Sequence, residues 1–426
     1  MNKKDYELIL TEERYNKIEK VLEDVYVPPK DKITWSDLLD RVFLNKWLGI
    51  PIFFVILWGM FQFTFELPGP LTELIGMIEI LGDFVANLFV GSWEWLGSLL
   101  GVGIINGLAF ILVFVPNIFF LFLYLSFLED SGYLSRAAFV MDKAMVKLGL
   151  HGKSFIPMLM GLGCNIPAIM ATRSIADEKD RKITILVNPF ISCGARLPIY
   201  VFLAGAFFVG FEVPIVYSMY IIGFVVAILM ALILRKTILK GKTAPFIMEL
   251  PPYRSPTLRS SGTHMWEKGR EFLKRVFTIL MIGSVLIWAA TYLPWGTEGT
   301  INSIAGMMGQ FFIPIFTPLG FNVSGTLGWI LIAALIYGFL AKELVVEAVG
   351  MMLGMTAISA LFSSPLIAFS YMVFTLLYIP CLACLGVIKK ELKSWKWTIF
   401  AMTYGIGVAY LISFLISGIP LLLGFI

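Results

Sequence analysis

The chain has 426 residues, of which 58% are apolar and only 15% are charged. A soluble domain carries about 25% charged residues, so the composition excludes a soluble protein and predicts one that crosses the membrane several times. The net charge of +4 says little alone, because the positions of Lys and Arg decide the orientation. All four cysteines lie in apolar segments, which argues against an extracellular disulfide framework: Cys164, Cys193, Cys381 and Cys384.

The first 46 residues are polar and are predicted to form a cytosolic linker domain, 1–46. Apolar residues recur at helical spacing over Thr11–Val25, which predicts an amphipathic helix. Ser36 or Asp37 can cap a second short helix. The linker either packs along the membrane surface or transmits force from another domain.

The distribution of charge predicts the topology. The segment 47–234 is predicted to be a first membrane half, and the acidic loop Glu66–Glu94 after its first span contains no Lys or Arg. The loop 235–275 contains ten Lys or Arg against three Glu. The positive-inside rule therefore places the N-terminus and this basic loop in the cytoplasm, and the acidic loop outside. A second membrane half is predicted over 276–426.

One stretch breaks an apolar run that would otherwise be a membrane helix. Within Phe155–Ala171 the sequence GLGCNIPA places Gly161, Gly163 and Pro167 around Cys164 and Asn165. Gly and Pro are poor helix-interior residues, and a break at membrane depth must face protein, water or a ligand. The run is at the lower length limit for a span, so we expect a re-entrant segment. A thiol and a carboxamide at the break are suitable donors to a soft or borderline cation, although a packing kink would need no ligand.

Three further interruptions have the same character. The first contains Cys193, Arg196 and Pro198, the second Lys342-Glu343 with Glu347, and the third Pro380 and Cys381. Ionisable groups inside apolar runs are expensive and usually face a polar cavity or a partner. Corresponding breaks in two halves indicate internal repeats with a site between them. The expected fold is an all-α polytopic membrane protein of two gate-type repeats with broken or re-entrant helices, in roughly 8–10 membrane segments.

Several of these motifs resemble one family. The segment 161–173, the CGARLPIY segment 193–200, and the segments 128–133, 338–343 and 378–381 resemble motifs of the prokaryotic ferrous iron transport protein B family, in the same order. The resemblance covers about residues 11–417. It implies uptake of ferrous iron across the cytoplasmic (inner) membrane by a multi-pass protein, as the gated pore of a GTP-regulated transporter. Cys384 departs from the family pattern, so no iron role is transferred to it.

The resemblance also implies which groups act. The expected donors to Fe²⁺ are Cys164, Asn165, Cys193, Cys381 and Glu343, and the expected gate or structural residues are Gly161, Gly163, Pro167, Arg196, Pro198 and Pro380. Fe²⁺ is the transported substrate, and no permanently bound cofactor is expected. The implied partners are the lipid membrane, small cytosolic Feo accessory proteins and a GTP-binding domain on a separate chain or removed by truncation. A homo-oligomer is compatible with the sequence, and no nucleic acid is expected.

The family's GTP-binding domain is not recognisable in the sequence. A P-loop needs Gly-x-x-x-x-Gly-Lys-Ser/Thr after a strand. The fragments Gly152–Ser154 and Gly241–Thr243 imitate only its end, so we expect no GTPase activity from this chain. Two alternatives for the function stay open: secondary transport of a small organic solute such as a nucleoside, or of Mn²⁺ or Zn²⁺, which bind such donors as well. A membrane enzyme has little support, since His151 and His264 lie in charged loops without metal-ligand spacing.

Overall fold

The computed structural model describes residues 35–89, 93–147, 149–240, 253–294, 301–321, 328–353 and 361–423, together with residues 13, 17, 18 and 21. Every regular element among these residues is helical. Six stretches are long and apolar enough to cross a membrane, and three shorter apolar helices accompany them. This confirms the predicted all-α polytopic class. The helix predicted over 11–25 lies almost wholly outside the described residues.

A short helix, Trp35–Phe43, precedes the membrane part where the sequence predicts one, but Ser36 and Asp37 lie inside it rather than at its cap. Asn45 caps the first long helix, because its side chain accepts a hydrogen bond from the amide of Trp47 at 3.0 Å. The elements up to residue 147 are α1 (Trp35–Phe43), α2 (Lys46–Phe65), α3 (Gly69–Leu88), α4 (Glu94–Ser98), a π-helix (Leu99–Asn106), α5 (Gly107–Asp130) and α6 (Tyr133–Lys147).

Short helices with non-helical breaks follow in the first half. None of the first three is long enough to cross a bilayer alone, since a crossing takes about 20 helical residues. The elements are α7 (Phe155–Gly163), α8 (Asn165–Ala171), α9 (Glu178–Val187), α10 (Leu197–Phe207) and the long α11 (Glu212–Thr237).

The second half has broken helices of the same kind. Its elements are α12 (Leu258–Tyr292), α13 (Ile304–Phe316), α14 (Gly328–Leu340), α15 (Leu344–Leu353), α16 (Pro365–Leu377), α17 (Leu382–Leu392), α18 (Trp395–Ser413), a π-helix (Phe414–Gly418) and α19 (Ile419–Leu422). The predicted boundary between residues 275 and 276 falls inside α12, so part of the predicted basic loop is helical. The division into two halves stays a prediction.

The broken helices lie at the centre of the molecule. In the most apolar 18-residue segment of Pro365–Leu392, 78% is buried inside the protein, against 21% in the corresponding segment of Trp47–Leu88 at the periphery. Tyrosine hydroxyls join the central helices: Tyr371 donates to the carbonyl of Leu331 at 3.0 Å, and Tyr378 donates to that of Leu335 at 3.1 Å. Helix α16 is thus fixed against α14, and the breaks that follow both helices meet.

A buried arginine attaches α1 to the membrane part. The Arg136 side chain, 1% exposed, pairs with Asp40 of α1 at 2.7 Å and donates to the carbonyl of Gly132 at 3.0 Å. Its guanidinium also lies 3.8 Å from the centre of the Tyr253 ring. A pair with this burial and geometry is costly to break from one side, so the end of the linker is anchored to α6.

Candidate functional site

The first break lies where the sequence predicts it. Helix α7 ends at Gly163, and Cys164 has extended backbone angles, φ −152° and ψ 128°, before α8 begins at Asn165. A methyl group at Gly161 would lie only 2.4 Å from Oδ1 of Asn188, and one at Gly163 would lie 2.9 Å from Leu121. The two glycines therefore allow close packing beside the exposed backbone of the break.

The second break spans two 3₁₀ turns, Asn188–Phe190 and Gly194–Arg196, with Cys193 between them. The Arg196 side chain, 1% exposed, turns back along its own loop. It donates to the carbonyls of Ile191 and Pro189, each at 3.1 Å. Carbonyls without helical partners are thus satisfied by a side chain, as burial demands.

The second half contains two corresponding breaks. Residues 341–343 separate α14 from α15, and residues 378–381 separate α16 from α17. Lys342, 2% exposed, lies in the former and donates to the carbonyl of Ile379 in the latter at 2.6 Å. Its ammonium also lies 3.3 Å from the centre of the Tyr378 ring. One side chain therefore joins both breaks of this half.

All four breaks line one cavity of about 430 Å³, which we call the thiol cavity. It contains the predicted donors and most of the predicted gate residues, as well as the fourth thiol: Cys164, Asn165, Cys193, Cys381, Glu343, Gly163, Arg196, Pro198, Pro380 and Cys384. Gly161 packs behind the cavity against the Asn188 and Asn165 carboxamides, and Pro167 lies beyond it. The fold thus brings Cys164 and Cys381, which are 217 positions apart in the chain, to the wall of one cavity.

Polar oxygens in the thiol cavity are available to accept. Oδ1 of Asn165, Oδ1 of Asn117 and Oγ1 of Thr64 line it and are buried without a hydrogen-bond partner among the described residues. A buried acceptor left unpaired costs about 1–3 kcal/mol, and water or a cation would remove this cost. Asn117 could have been found, because it is a polar residue beside Pro116 in an apolar run. No pattern in the sequence pointed to Thr64.

A second cavity of about 760 Å³, which we call the basic vestibule, adjoins the first. Its polar lining is mainly basic: Lys153, Arg173, Lys268 and Lys390, with Glu129. Ile166 and Ala383 line both cavities. We call these two residues the septum. Each lies two positions after a cysteine, Cys164 or Cys381.

Three helices lead from one cavity to the other in the same direction. Along α5 the lining passes from Leu121 to Glu129, along α8 from Asn165 to Ala171, and along α17 from Cys384 to Lys390. The two cavities therefore follow one another along these three helices. Within the described ranges, no three His, Cys, Asp or Glu side chains converge closely enough to hold a metal ion. The thiols lie around the cavity wall rather than in a closed coordination sphere.

The P-loop-like fragment Gly152–Ser154 forms a 3₁₀ turn before α7, where the side chain of His151 accepts from the amide of Lys153 at 3.1 Å. The second fragment, Gly241–Thr243, lies outside the described residues.

These features define a polytopic membrane protein of the gate type, in which broken helices surround a central cavity. A family model described as "Gate: Nucleoside recognition" matches residues 111–207 and 273–395. A second, described as "Ferrous iron transport protein B C terminus", matches residues 216–268. The chain belongs to the ferrous iron transport protein B (FeoB) family and corresponds to its membrane part, which confirms the resemblance.

Curated relatives match nearly the whole chain. The "Fe(2+) transporter FeoB" of Methanocaldococcus jannaschii is 40% identical over 98% of this chain and 64% of its own length. The "Fe(2+) transporter FeoB" of Staphylococcus aureus is 42% identical over 94% of this chain and 62% of its own length. A protein of Porphyromonas gingivalis, "Fe(2+) transport protein A/Fe(2+) transporter FeoB fusion protein", is 36% identical over 98% of this chain and 56% of its own length. The chain thus spans less than two thirds of each of these relatives.

Proposed function

We propose that the chain forms the membrane pathway of a ferrous iron transporter, with Fe²⁺ as the transported substrate. The observation that carries the proposal is the meeting of Cys164, Cys193 and Cys381, each at a different helix break, in one cavity. Thiols suit borderline and soft cations better than Mg²⁺ or Ca²⁺. The names of the relatives, Fe(2+) transporters, support the same substrate.

The dispersed arrangement of donors favours passage over storage. A transported ion must find donors in place of water, yet must leave again, so binding at several weak sites serves conduction better than one tight site. The three thiols, the Glu343 carboxylate and the Asn165 carboxamide line the wall of the thiol cavity. The septum of Ile166 and Ala383 then separates these donors from the basic vestibule. We assign gating to this septum.

The orientation and the partners are part of the proposal. The Lys and Arg residues of the basic vestibule, like those of the loop 235–275, favour the cytoplasmic side of the inner membrane. The vestibule is then the exit, and the N-terminal linker lies in the cytoplasm. A GTP-binding domain would act through that linker and the Arg136–Asp40 contact. The fusion in the Porphyromonas gingivalis relative supports a small Fe(2+) transport protein A as a further partner. The chain itself is proposed to have no GTPase activity.

Uptake into liposomes tests the proposal. The purified chain is reconstituted with a metal-sensitive dye inside, and influx of Fe²⁺ under anaerobic conditions is compared with influx of Mn²⁺, Zn²⁺ and a radiolabelled nucleoside. We expect Fe²⁺ influx that rises when the relatives' GTP-binding domain and GTP are added. We expect the Cys164/Cys193/Cys381 triple Ser variant to lose most of it.

The matched control is Cys384→Ser, which removes a thiol from the same cavity but not one of the predicted donors. Nucleoside influx without Fe²⁺ influx would replace the proposal by the solute-transport alternative. Equal Fe²⁺ influx through the triple variant and the wild type would reduce the three cysteines to packing residues.

A further inference from the structure

Two buried cations make the same kind of contact in the two halves. In the first half, Arg196 donates to the carbonyl of Ile191 at 3.1 Å, and Ile191 lies two residues before Cys193. In the second half, Lys342 donates to the carbonyl of Ile379 at 2.6 Å, and Ile379 lies two residues before Cys381. Each cation thus fixes the backbone at the same offset from a thiol.

The breaks need such a contact because they have no helical ladder. Residues 191–193 and 379–381 are outside regular helix, so the carbonyls of Ile191 and Ile379 have no helical amide as a partner and accept from a side chain instead. A charged donor forms a stronger hydrogen bond than a neutral one. A buried cation has few other hydrogen-bond acceptors to turn to. It therefore restrains the backbone next to the cysteine more firmly than a neutral side chain would.

The contacts also influence which atoms an ion meets. A backbone carbonyl is an oxygen donor, and oxygen donors suit Mg²⁺, Ca²⁺ and Mn²⁺, whereas thiols suit softer cations. With the carbonyls of Ile191 and Ile379 engaged by Arg196 and Lys342, the thiols of Cys193 and Cys381 are the more available donors at these two breaks. Both cations line the thiol cavity, and Glu343 is its carboxylate among the lining residues.

We propose that Lys342 and Arg196 are positioning residues: Lys342 holds Cys381, and Arg196 holds Cys193, in the orientation in which the thiols face an ion in the cavity. This inference rests on the proposed function, because it requires that the two thiols bind metal. Neither cation touches the ion itself. Removing a residue that orients a metal ligand typically lowers metal affinity about 10–100-fold, and we expect an effect of that size here.

Co²⁺ is a suitable probe, because it replaces Fe²⁺ in air and its thiolate complexes absorb in the near ultraviolet. The intact chain in detergent is titrated with Co²⁺ while this charge-transfer band is recorded. For Lys342→Met we expect about 10–100-fold weaker binding and a weaker band. For Lys342→Arg we expect recovery of most of the affinity, since a guanidinium can also donate to the Ile379 carbonyl and stack on Tyr378.

Arg196 should differ from Lys342 in the effect of the conservative exchange. Arg196→Met should weaken Co²⁺ binding, and Arg196→Lys should not restore it, because one ammonium cannot reproduce the fork that reaches both Pro189 and Ile191. Arg136→Met is the matched control: Arg136 is equally buried, donates to a carbonyl and lies over a tyrosine ring, but it is not among the residues that line the thiol cavity. Its Co²⁺ titration should match the wild type.

Alkylation rates test which cation serves which cysteine. In chains that retain a single cysteine, Lys342→Gln should change the rate at Cys381 and leave Cys193 unaltered, and Arg196→Lys should do the reverse. These milder variants keep a donor, so the measurement survives if the Met variants fail to fold. A structural defect without positioning would alter both rates together and would overturn the inference.

The two levels of the proposal fail differently. A wild-type chain without a thiolate–Co²⁺ band would overturn the proposed function, and this inference with it. A wild-type band that Lys342→Met and Arg196→Met leave unchanged in intensity and midpoint would overturn the positioning role alone.

Discussion

The two cysteine-bearing breaks that follow α9 and α16 are both held by a buried cation, but the number of hydrogen bonds to backbone carbonyls differs. In the first half, Arg196 holds two carbonyls, and the Asn165 amide also points to the Ile191 carbonyl at 3.5 Å. In the second half, a single Lys342 ammonium holds one carbonyl and lies on a tyrosine ring. We therefore expect the Cys193 break to be rigid and the Cys381 break to move more readily.

Removing the stronger restraint should have the largest effect. Arg196→Met leaves the buried carbonyl of Pro189 unpaired and that of Ile191 with only the 3.5 Å contact of the Asn165 amide. An unpaired buried carbonyl costs about 1–3 kcal/mol, so we expect a loss of about 3 kcal/mol in the free energy of unfolding. Lys342→Met leaves one carbonyl unpaired and should cost about half as much. Chemical or thermal unfolding in detergent, followed by circular dichroism, gives both values. Equal losses would remove the asymmetry between the halves.

Two glycines allow the packing behind each half to be tested separately. A methyl group at Gly161 would lie 2.4 Å from Oδ1 of Asn188, and one at Gly338 would lie 2.4 Å from the hydroxyl of Tyr378. Overpacking of this kind costs about 1–3 kcal/mol. We expect Gly161→Ala to displace the first-half carboxamides, and Gly338→Ala to displace the ring beneath Lys342.

The measurement is the alkylation rate of Cys164 and Cys381 in single-cysteine chains. Gly161→Ala should change the former and Gly338→Ala the latter. Gly205→Ala is a suitable control, since a methyl group there would meet no atom within 4 Å apart from its chain neighbours and the backbone of its own helix. A change at both cysteines from either variant would mean that the halves are mechanically joined.

The septum contains one residue from each half, of different size. Ile166→Ala should widen it and produce Fe²⁺ leak into liposomes without nucleotide, whereas Ala383→Leu should narrow it and reduce flux several-fold. Both positions are buried and both variants keep an apolar side chain there, so no polar side-chain contact is lost. Unchanged leak and unchanged flux would place the constriction elsewhere in the pathway.

The smallest effect is expected from the fourth thiol. Cys384 is 1% exposed and lines the thiol cavity with Cys381, yet it lies inside α17 rather than at a break. Cys384→Ser should therefore change Fe²⁺ flux less than Cys381→Ser does. A loss of flux equal to that of Cys381→Ser would extend the donor set to this residue.

The breaks could be predicted from the sequence because their causes are local. Gly161, Gly163 and Pro167 end one helix and begin another around Cys164, and Lys342-Glu343 interrupts an apolar run at the point where α14 ends. The all-α polytopic class could be predicted as well, because the high apolar and low charged content of the whole chain indicates a membrane protein. The predicted boundary between residues 275 and 276 was less accurate, because the first turns of α12 are polar and match a cytoplasmic loop in composition.

The contacts between breaks could not be predicted. The Lys342 side chain reaches a carbonyl 37 residues away, and no pattern in the chain identifies a backbone acceptor. Ile166 and Ala383 look like ordinary apolar residues, and only the adjacency of two cavities gives them a role. Cys164, Cys193 and Cys381 line one cavity, and their coordinating role stays a prediction.

The proposed septum would also determine where a transmembrane voltage acts. If the thiol cavity opens to one side of the membrane and the basic vestibule to the other, and water fills both, most of the voltage falls across the thin layer formed by Ile166 and Ala383. An elementary charge that crosses 100 mV gains about 2.3 kcal/mol, so a divalent ion gains about 4.6 kcal/mol. The electric field would then be strongest at the step between the cysteines and the vestibule, and almost absent at the cysteines themselves.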